Sequence, residues 1–201
     1  MVFLWHCCLP FLLLVPSSHS QVFFRGPCLK LPVIKDFDWH RYLGKWHDVM
    51  RYPVFYQEVG RCWTGTYIKN KKTGQISVRL DFQDILLNKP LDITVAVHRE
   101  KPYSEPNRFS YTIPGVPLFE DHYEALTTDY DNWTVEYTCV NKGLFGHTKI
   151  AWILTRSPKP SYHVIEAAKH AMRQRGVDPK YLEKTDQSCN IRGNYGYRTS
   201  S

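Results

Sequence analysis

Between residues 44 and 156 the chain repeats one pattern: stretches of six to nine residues in which apolar and polar side chains alternate, each closed by turn-forming residues. Side chains in a strand point alternately to its two faces, so a period of two marks a strand with one face in the core and one in water. The stretch 75–83 is the clearest case, with Ile76, Val78, Leu80 and Phe82 on one face and Ser77, Arg79 and Asp81 on the other. Comparable segments are read at 44–52, 61–69, 91–99, 108–113, 123–128, 133–140 and 149–155. Eight short strands at even spacing, joined by tight turns such as Asn70-Lys71-Lys72-Thr73-Gly74, predict an all-β fold, an eight-stranded up-and-down antiparallel barrel spanning about 44–156.

The last stretch breaks the pattern, because Ala151, Trp152, Ile153 and Leu154 are apolar on both faces. Its outer face needs a cover. Pro160 and Ser161 supply a helix start and Gly176 a stop, and Tyr162, Ile165, Ala168 and Met172 form one stripe between them. A single C-terminal helix over about 161–175, packed outside the barrel and followed by a tail at 177–201, is therefore expected. A short helical turn at 37–42 precedes the first strand.

The 201 residues suffice for one domain with a sizeable core. Residues 1–20 read as a signal peptide, with an apolar run from Val2 to Val15 and small residues before Gln21, although no Lys or Arg precedes the run. The domain is then expected over 21–201, secreted and without a membrane span. Cys28, Cys62, Cys139 and Cys189 remain after its removal, an even set that in an exported chain implies two disulfides. Four cysteines allow three pairings, and none of these spacings is the Cys-x-x-Cys of a zinc site. The formal charge is +7, yet Lys and Arg are spread along the chain rather than gathered in a stripe, which argues against a nucleic-acid partner.

Three patches are spaced along the strands: Gly44-Lys45-Trp46 opening the first, Thr128-Asp129-Tyr130 ending the sixth, and Arg156 closing the eighth. In that order they resemble the signature patches of the lipocalins, and the resemblance runs from about Cys28 to Cys189. Phe37-Asp38, Gly60-Arg61-Cys62 and Ala151-Trp152-Ile153-Leu154 narrow it to the branch holding apolipoprotein D, insecticyanin and bilin-binding protein. The resemblance implies that Trp46 plugs one end of the barrel with Arg156 across its ring, and that the pairing is Cys28–Cys139 and Cys62–Cys189. It also implies a carrier of a small hydrophobic ligand, with no obligatory cofactor and a bound bilin, sterol, retinoid or fatty acid as cargo.

Alternation selects the side chains expected to meet that ligand: Trp63 and Tyr67, Val78 and Leu80, Val95, Phe109 and Tyr111, Leu126, Tyr137, Trp152 and Leu154. Gly65, Ile76, Ile93 and Val135 fall on the same inner rows. Glu124 shares a face with Leu126 and stands where relatives place a pocket Trp; a carboxylate there meets a ligand amine, a pyrrole N–H or water, unless a local twist or the open rim places it in solvent. Asn132-Trp133-Thr134 is a glycosylation sequon in a predicted turn. The chain has no Gly-x-Ser-x-Gly and no His-Glu-x-x-His, so neither catalytic residues nor a metal site are expected. The competing reading is a barrel filled by Trp63, Tyr67, Phe109, Tyr111 and Trp152, acting on a cell-surface receptor through rim loops at 54–60, 88–90, 101–106 and 114–121.

Overall fold

The computed structural model describes residues 23–54, 57–99, 101–112 and 120–189. The expected signal segment, most of the rim loop at 114–121 and the end of the tail lie outside them. In chain order the elements are β1 (Phe23–Phe24), α1 (Trp39–Tyr42), β2 (Gly44–Arg51), β3 (Gly60–Lys69), β4 (Ile76–Asp84) and β5 (Pro90–His98). They continue with β6 (Arg108–Thr112), β7 (Glu120–Thr128), β8 (Trp133–Asn141), β9 (His147–Thr155), α2 (Tyr162–Gln174) and β10 (Glu183–Lys184).

Strands β2 to β9 pair antiparallel in sequence order, and β9 returns to pair with β2, which closes an eight-stranded barrel. Closure removes the sheet edges that an open meander leaves unpaired. Two pairings were not legible in the sequence: β1 adds to β9 and β10 adds to β2, each by two residues. Both are short and anchored near disulfides, Cys28–Cys139 tying the N-terminal segment to β8 and Cys62–Cys189 tying the C-terminal segment to β3.

Helix α2 packs on β7, β8 and β9. Ala168 and Met172 are fully buried, whereas Tyr162 at the start of the expected stripe is 74% exposed. Ser161 is the N-cap by position, but its side chain makes no capping hydrogen bond. The helix ends on Gly176 at φ +79°, where Val177 N–H donates to Met172 O at 3.2 Å, a left-handed stop that favours glycine. Within the described residues no helix is long and apolar enough to cross a membrane.

The chain direction fixes the two ends of the barrel. The start of β2 and the end of β9 lie at one end with α1, and the connections 52–59, 85–89 and 142–146 lie at the other. The β5–β6 connection falls at the first end, where Trp39 Nε1–H donates to Pro106 O at 2.8 Å. The expected rim loop at 101–106 therefore belongs to the α1 end, not to the mouth.

Candidate ligand-binding site

The α1 end is sealed by aromatic packing and one guanidinium. Trp46 is fully buried, with its Nε1–H on Tyr42 O at 2.9 Å. Arg156 lies over its ring, Cζ 3.5 Å from the centroid, and donates to the carbonyls of Tyr130 (3.0 Å), Lys45 (3.0 Å) and Arg41 (2.8 Å). Stacking on a π face while satisfying several acceptors is what a planar fork of N–H groups does and an ammonium does not. Gly44 is needed for two reasons: its φ is +94°, and a Cβ there would come within 3.3 Å of Arg156 Nη1. The turn 129–132 is held by Asp129, whose Oδ1 accepts from Asn132 N–H and Trp133 N–H at 2.8 Å, while Thr128 Oγ1–H donates to Trp133 O at 2.9 Å. Tyr130 has φ +67° and accepts at its hydroxyl from Asp38 N–H at 2.9 Å. Asn132 is exposed in this turn, its amide on Asp129 Oδ2 at 2.9 Å.

Above the plug the lumen holds a carboxylate that the sequence reading did not select. Glu136 accepts from Tyr42 Oη at 2.7 Å and Tyr67 Oη at 2.5 Å through Oε1, and from Tyr111 Oη at 3.4 Å through Oε2. Tyr67 and Tyr111 also touch through their hydroxyls. Burial raises the Glu136 pKa above the ordinary Glu value, although the three hydroxyls favour its charged form. Burial, then the Glu136 charge, likewise push all three phenols well above the usual tyrosine range. Phe109 joins this layer, its ring 5.4 Å from those of Trp39 and Tyr111.

Toward the mouth a cavity of about 220 Å³ remains. Of the residues selected from sequence, Trp63, Tyr67, Val78, Leu80, Val95, Tyr111, Trp152 and Leu154 line it, with Gly65 and Ile93. Trp63 stacks on Phe82 at 4.0 Å, and its Nε1–H donates to Gly60 O at 3.0 Å. Gln57, from the β2–β3 connection, accepts from Trp152 Nε1–H at 2.8 Å. Five lining residues were missed: Asp48, Gln57, Thr64, Tyr123 and Glu136.

Phe109, Glu124, Leu126 and Tyr137 do not line the cavity. Phe109 is inward but lies in the aromatic layer below. Strand register corrects Tyr137 and Val135. Trp152 pairs with Glu136 and Leu154 with Thr134, and paired residues share a face, so the inner row of β8 is Thr134, Glu136 and Thr138. Val135 and Tyr137 belong to the outer row. Glu124 pairs with Tyr137 and so faces outward too, bonded to Arg108 Nε at 3.3 Å, while Ala125, not Glu124, shares the Glu136 face. Leu126 is buried at a register shift between Ala125 and Thr127. For Val135 and Tyr137 the physical cause is the cover: the outside of β8 and β9 is packed over, so apolar character there marks the lidded outer face and not the lumen.

The outer row forms its own groove of about 280 Å³, lined among others by Cys28, Leu29, Lys101, Glu124 and Tyr137. Burial raises the Glu124 pKa against the opposing pull of Arg108, and burial followed by Glu124 pushes Tyr137 up to about 12.

Asp48 enters the lumen by alternation from Trp46, its partner Leu154 being on the inner row, and the register shift between Asp48 and Met50 brings Arg51 to the same face. Burial raises its pKa to about 6 from 3.8, partly offset by Arg51 at 2.8 Å. An acid whose folded pKa lies above its unfolded one contributes stability that is present below the lower value and lost as pH rises through the higher. The neighbouring His47, lowered to about 4 by burial and then by Lys45, has the opposite slope, and it is unchanged in a variant of Asp48. Asp48→Asn is therefore expected to gain stability relative to the parent between about pH 4 and pH 7. Thermal melts of both proteins at the two pH values check this; no relative change would show Asp48 to be well solvated, and a variant that loses ground would show that the Arg51 ion pair outweighs burial.

Among the described residues no group of three or more His, Cys, Asp or Glu is placed to hold a metal ion. The profile of the lipocalin-like domain matches residues 37–187. Apolipoprotein D of Cavia porcellus is 29% identical over 185 residues, covering 87% of this chain and 90% of that protein. The bilin-binding protein of Pieris brassicae is 26% identical over 147 residues, covering 73% of this chain and 76% of its own. Insecticyanin from the tobacco hornworm Manduca sexta superposes with a TM-score of 0.74 at 21% identity, over 83% of this chain and 89% of that one. A match over three-quarters of the sequence, on a closed barrel whose Trp46 is capped by Arg156, places this chain in the lipocalin family.

Proposed function

We propose that the protein is a secreted, non-catalytic carrier that holds one compact hydrophobic or amphipathic ligand in the open half of its barrel. The observation that carries this reading is the cavity of about 220 Å³ bounded by Trp63, Val78, Val95, Trp152 and Leu154. Secretion is supported by the two disulfides, which persist in oxidising compartments. Relatives named for a lipoprotein and for a bilin support cargo of a hydrophobic kind. The volume lies below the roughly 300–1,000 Å³ of most small-molecule sites, which favours a single ring system or short chain over a four-ring pigment. A barrel filled along its whole length would leave only the mouth loops for recognition; here the aromatic filling stops at the Glu136 layer.

Titration of intrinsic tryptophan fluorescence with a fatty acid, a retinoid and a bilin tests the reading, because Trp63 and Trp152 both line the cavity. Saturable quenching by at least one is expected, strongest for the smaller ligands. Val95→Phe, which adds bulk to the same space, is expected to weaken that binding about tenfold or more. Binding left intact by the bulkier side chain would move the ligand out of the lumen, and no response to any ligand would refute a carrier.

A further inference from the structure

One carboxylate oxygen in the cavity wall has no hydrogen-bond partner among the described residues. The register shift at Val49 turns Asp48 and Arg51 to the same inner face of β2, where Asp48 Oδ2 and Arg51 Nη1 meet at 2.8 Å. The Asp48 side chain is 5% exposed and its Oδ1 accepts no hydrogen bond. Arg51 does not reach it, because Nη2 is committed to Gln57 O at 3.0 Å. A buried acceptor left unmade is uncommon and calls for a donor that arrives from elsewhere. Asp48 belongs to the wall of the cavity, with Oδ1 buried behind its surface, where a donor entering the cavity meets it on a small turn of the side chain.

The charges of the lumen point to the kind of donor. Two carboxylates, Asp48 and Glu136, line the cavity, and the Asp48 charge adds to the burial that raises the Glu136 pKa. Among the described residues Arg51 is the one guanidinium paired with them, so the ionised group carries one negative charge in excess there. Aromatic faces make up much of the remaining wall, with Trp63, Tyr123 and Trp152 grouped around the opening and the rings of Tyr123 and Trp152 5.6 Å apart. Such faces attract a cation held against them.

We propose that the barrel prefers a compact ligand with an ammonium group on an apolar or aromatic body, the ammonium donating to Asp48 Oδ1 and the body lying against Trp63 and Trp152. The inference rests on the carrier reading and names the chemistry of its cargo. A neutral analogue offers Oδ1 a weaker donor, and an anionic one brings like charge to a wall already in excess.

Calorimetric titration of the intact, disulfide-bonded protein at neutral pH with three probes of one body tests this: 2-phenylethylamine, 2-phenylethanol and 3-phenylpropanoate, with decanoate alongside. The amine is expected to bind about tenfold more tightly than the alcohol, and the phenylpropanoate more weakly than either. Asp48→Asn is expected to bring amine and alcohol within about twofold. Alcohol or phenylpropanoate binding as tightly as the amine to the parent protein overturns the inference whether or not the variant folds, and so does a folded variant that keeps the tenfold ratio. Decanoate binding without any preference for the amine overturns the charge preference and leaves the carrier standing. Silence toward all four probes overturns both.

Discussion

Replacing Trp46 with alanine is expected to destabilise the protein by about 3–5 kcal/mol, the range for removing a buried aromatic from a site that cannot collapse. Collapse is prevented here by what surrounds the ring. Arg156 is fixed by carbonyls of residues 41, 45 and 130, three separate points of the chain, so the guanidinium stays in place when the ring beneath it goes. On the other side Tyr42 packs at 5.4 Å between centroids and is itself fully buried and bonded to Glu136. The variant therefore keeps a void under a charged group that has lost its π face. Arg156→Lys is expected to cost less, since the ring remains and only the multi-carbonyl fork is lost. Urea unfolding of both variants checks the order; a cost below about 1 kcal/mol for Trp46→Ala would show that the end of the barrel closes around the gap.

The barrel was legible because its strands have one covered face and one wet one over most of the circumference. Where that holds, as in β4, alternation gave the right inner row: Ile76, Val78 and Leu80 face in and Ser77 faces out with its partner Ala96. The reading failed where α2 and the N-terminal segment cover the outside. In β8 the apolar row of Val135 and Tyr137 faces the cover, and the polar row of Thr134, Glu136 and Thr138 faces the lumen. The signal that would have found Glu136 was present: the same reasoning that demanded a cover for 149–155 applies to the neighbouring strand, and a covered strand tells nothing about its faces by hydrophobicity alone. Asp48 had a signal too, since it lies two residues beyond the inward Trp46. What leaves no compositional mark is the bulge at Val49 that brings Arg51 to the same face, and the disulfides depended on resemblance because four cysteines admit three pairings.

Removing the Glu136 side chain is expected to be the most damaging change within the lumen. In Glu136→Ala the hydroxyls of Tyr42 and Tyr67 lose the oxygen they share, and Tyr111 loses its longer contact to the second oxygen. Tyr67 and Tyr111 still touch each other, so the largest loss falls on Tyr42, which is fully buried and keeps only the approach of Thr134 Oγ1–H at 3.4 Å. At about 1–3 kcal/mol for each buried hydroxyl left without an acceptor, the variant is expected to lose about 3 kcal/mol. Glu136→Gln keeps an acceptor in the same place and is expected to stay within about 1 kcal/mol of the parent. The pair separates geometry from charge, and pH separates them again. Because burial raises the Glu136 pKa, its contribution is present below the ordinary Glu value and lost as pH rises through the raised one, so the Gln variant should gain on the parent in that direction while the Ala variant stays behind the Gln variant at every pH. Chemical denaturation of the three proteins in acid and at neutrality measures both effects. Equal stability of the Ala and Gln variants would mean that water from the adjoining cavity takes over the tyrosine hydroxyls, and the carboxylate would then be a feature of the ligand's surroundings and not a support of the barrel.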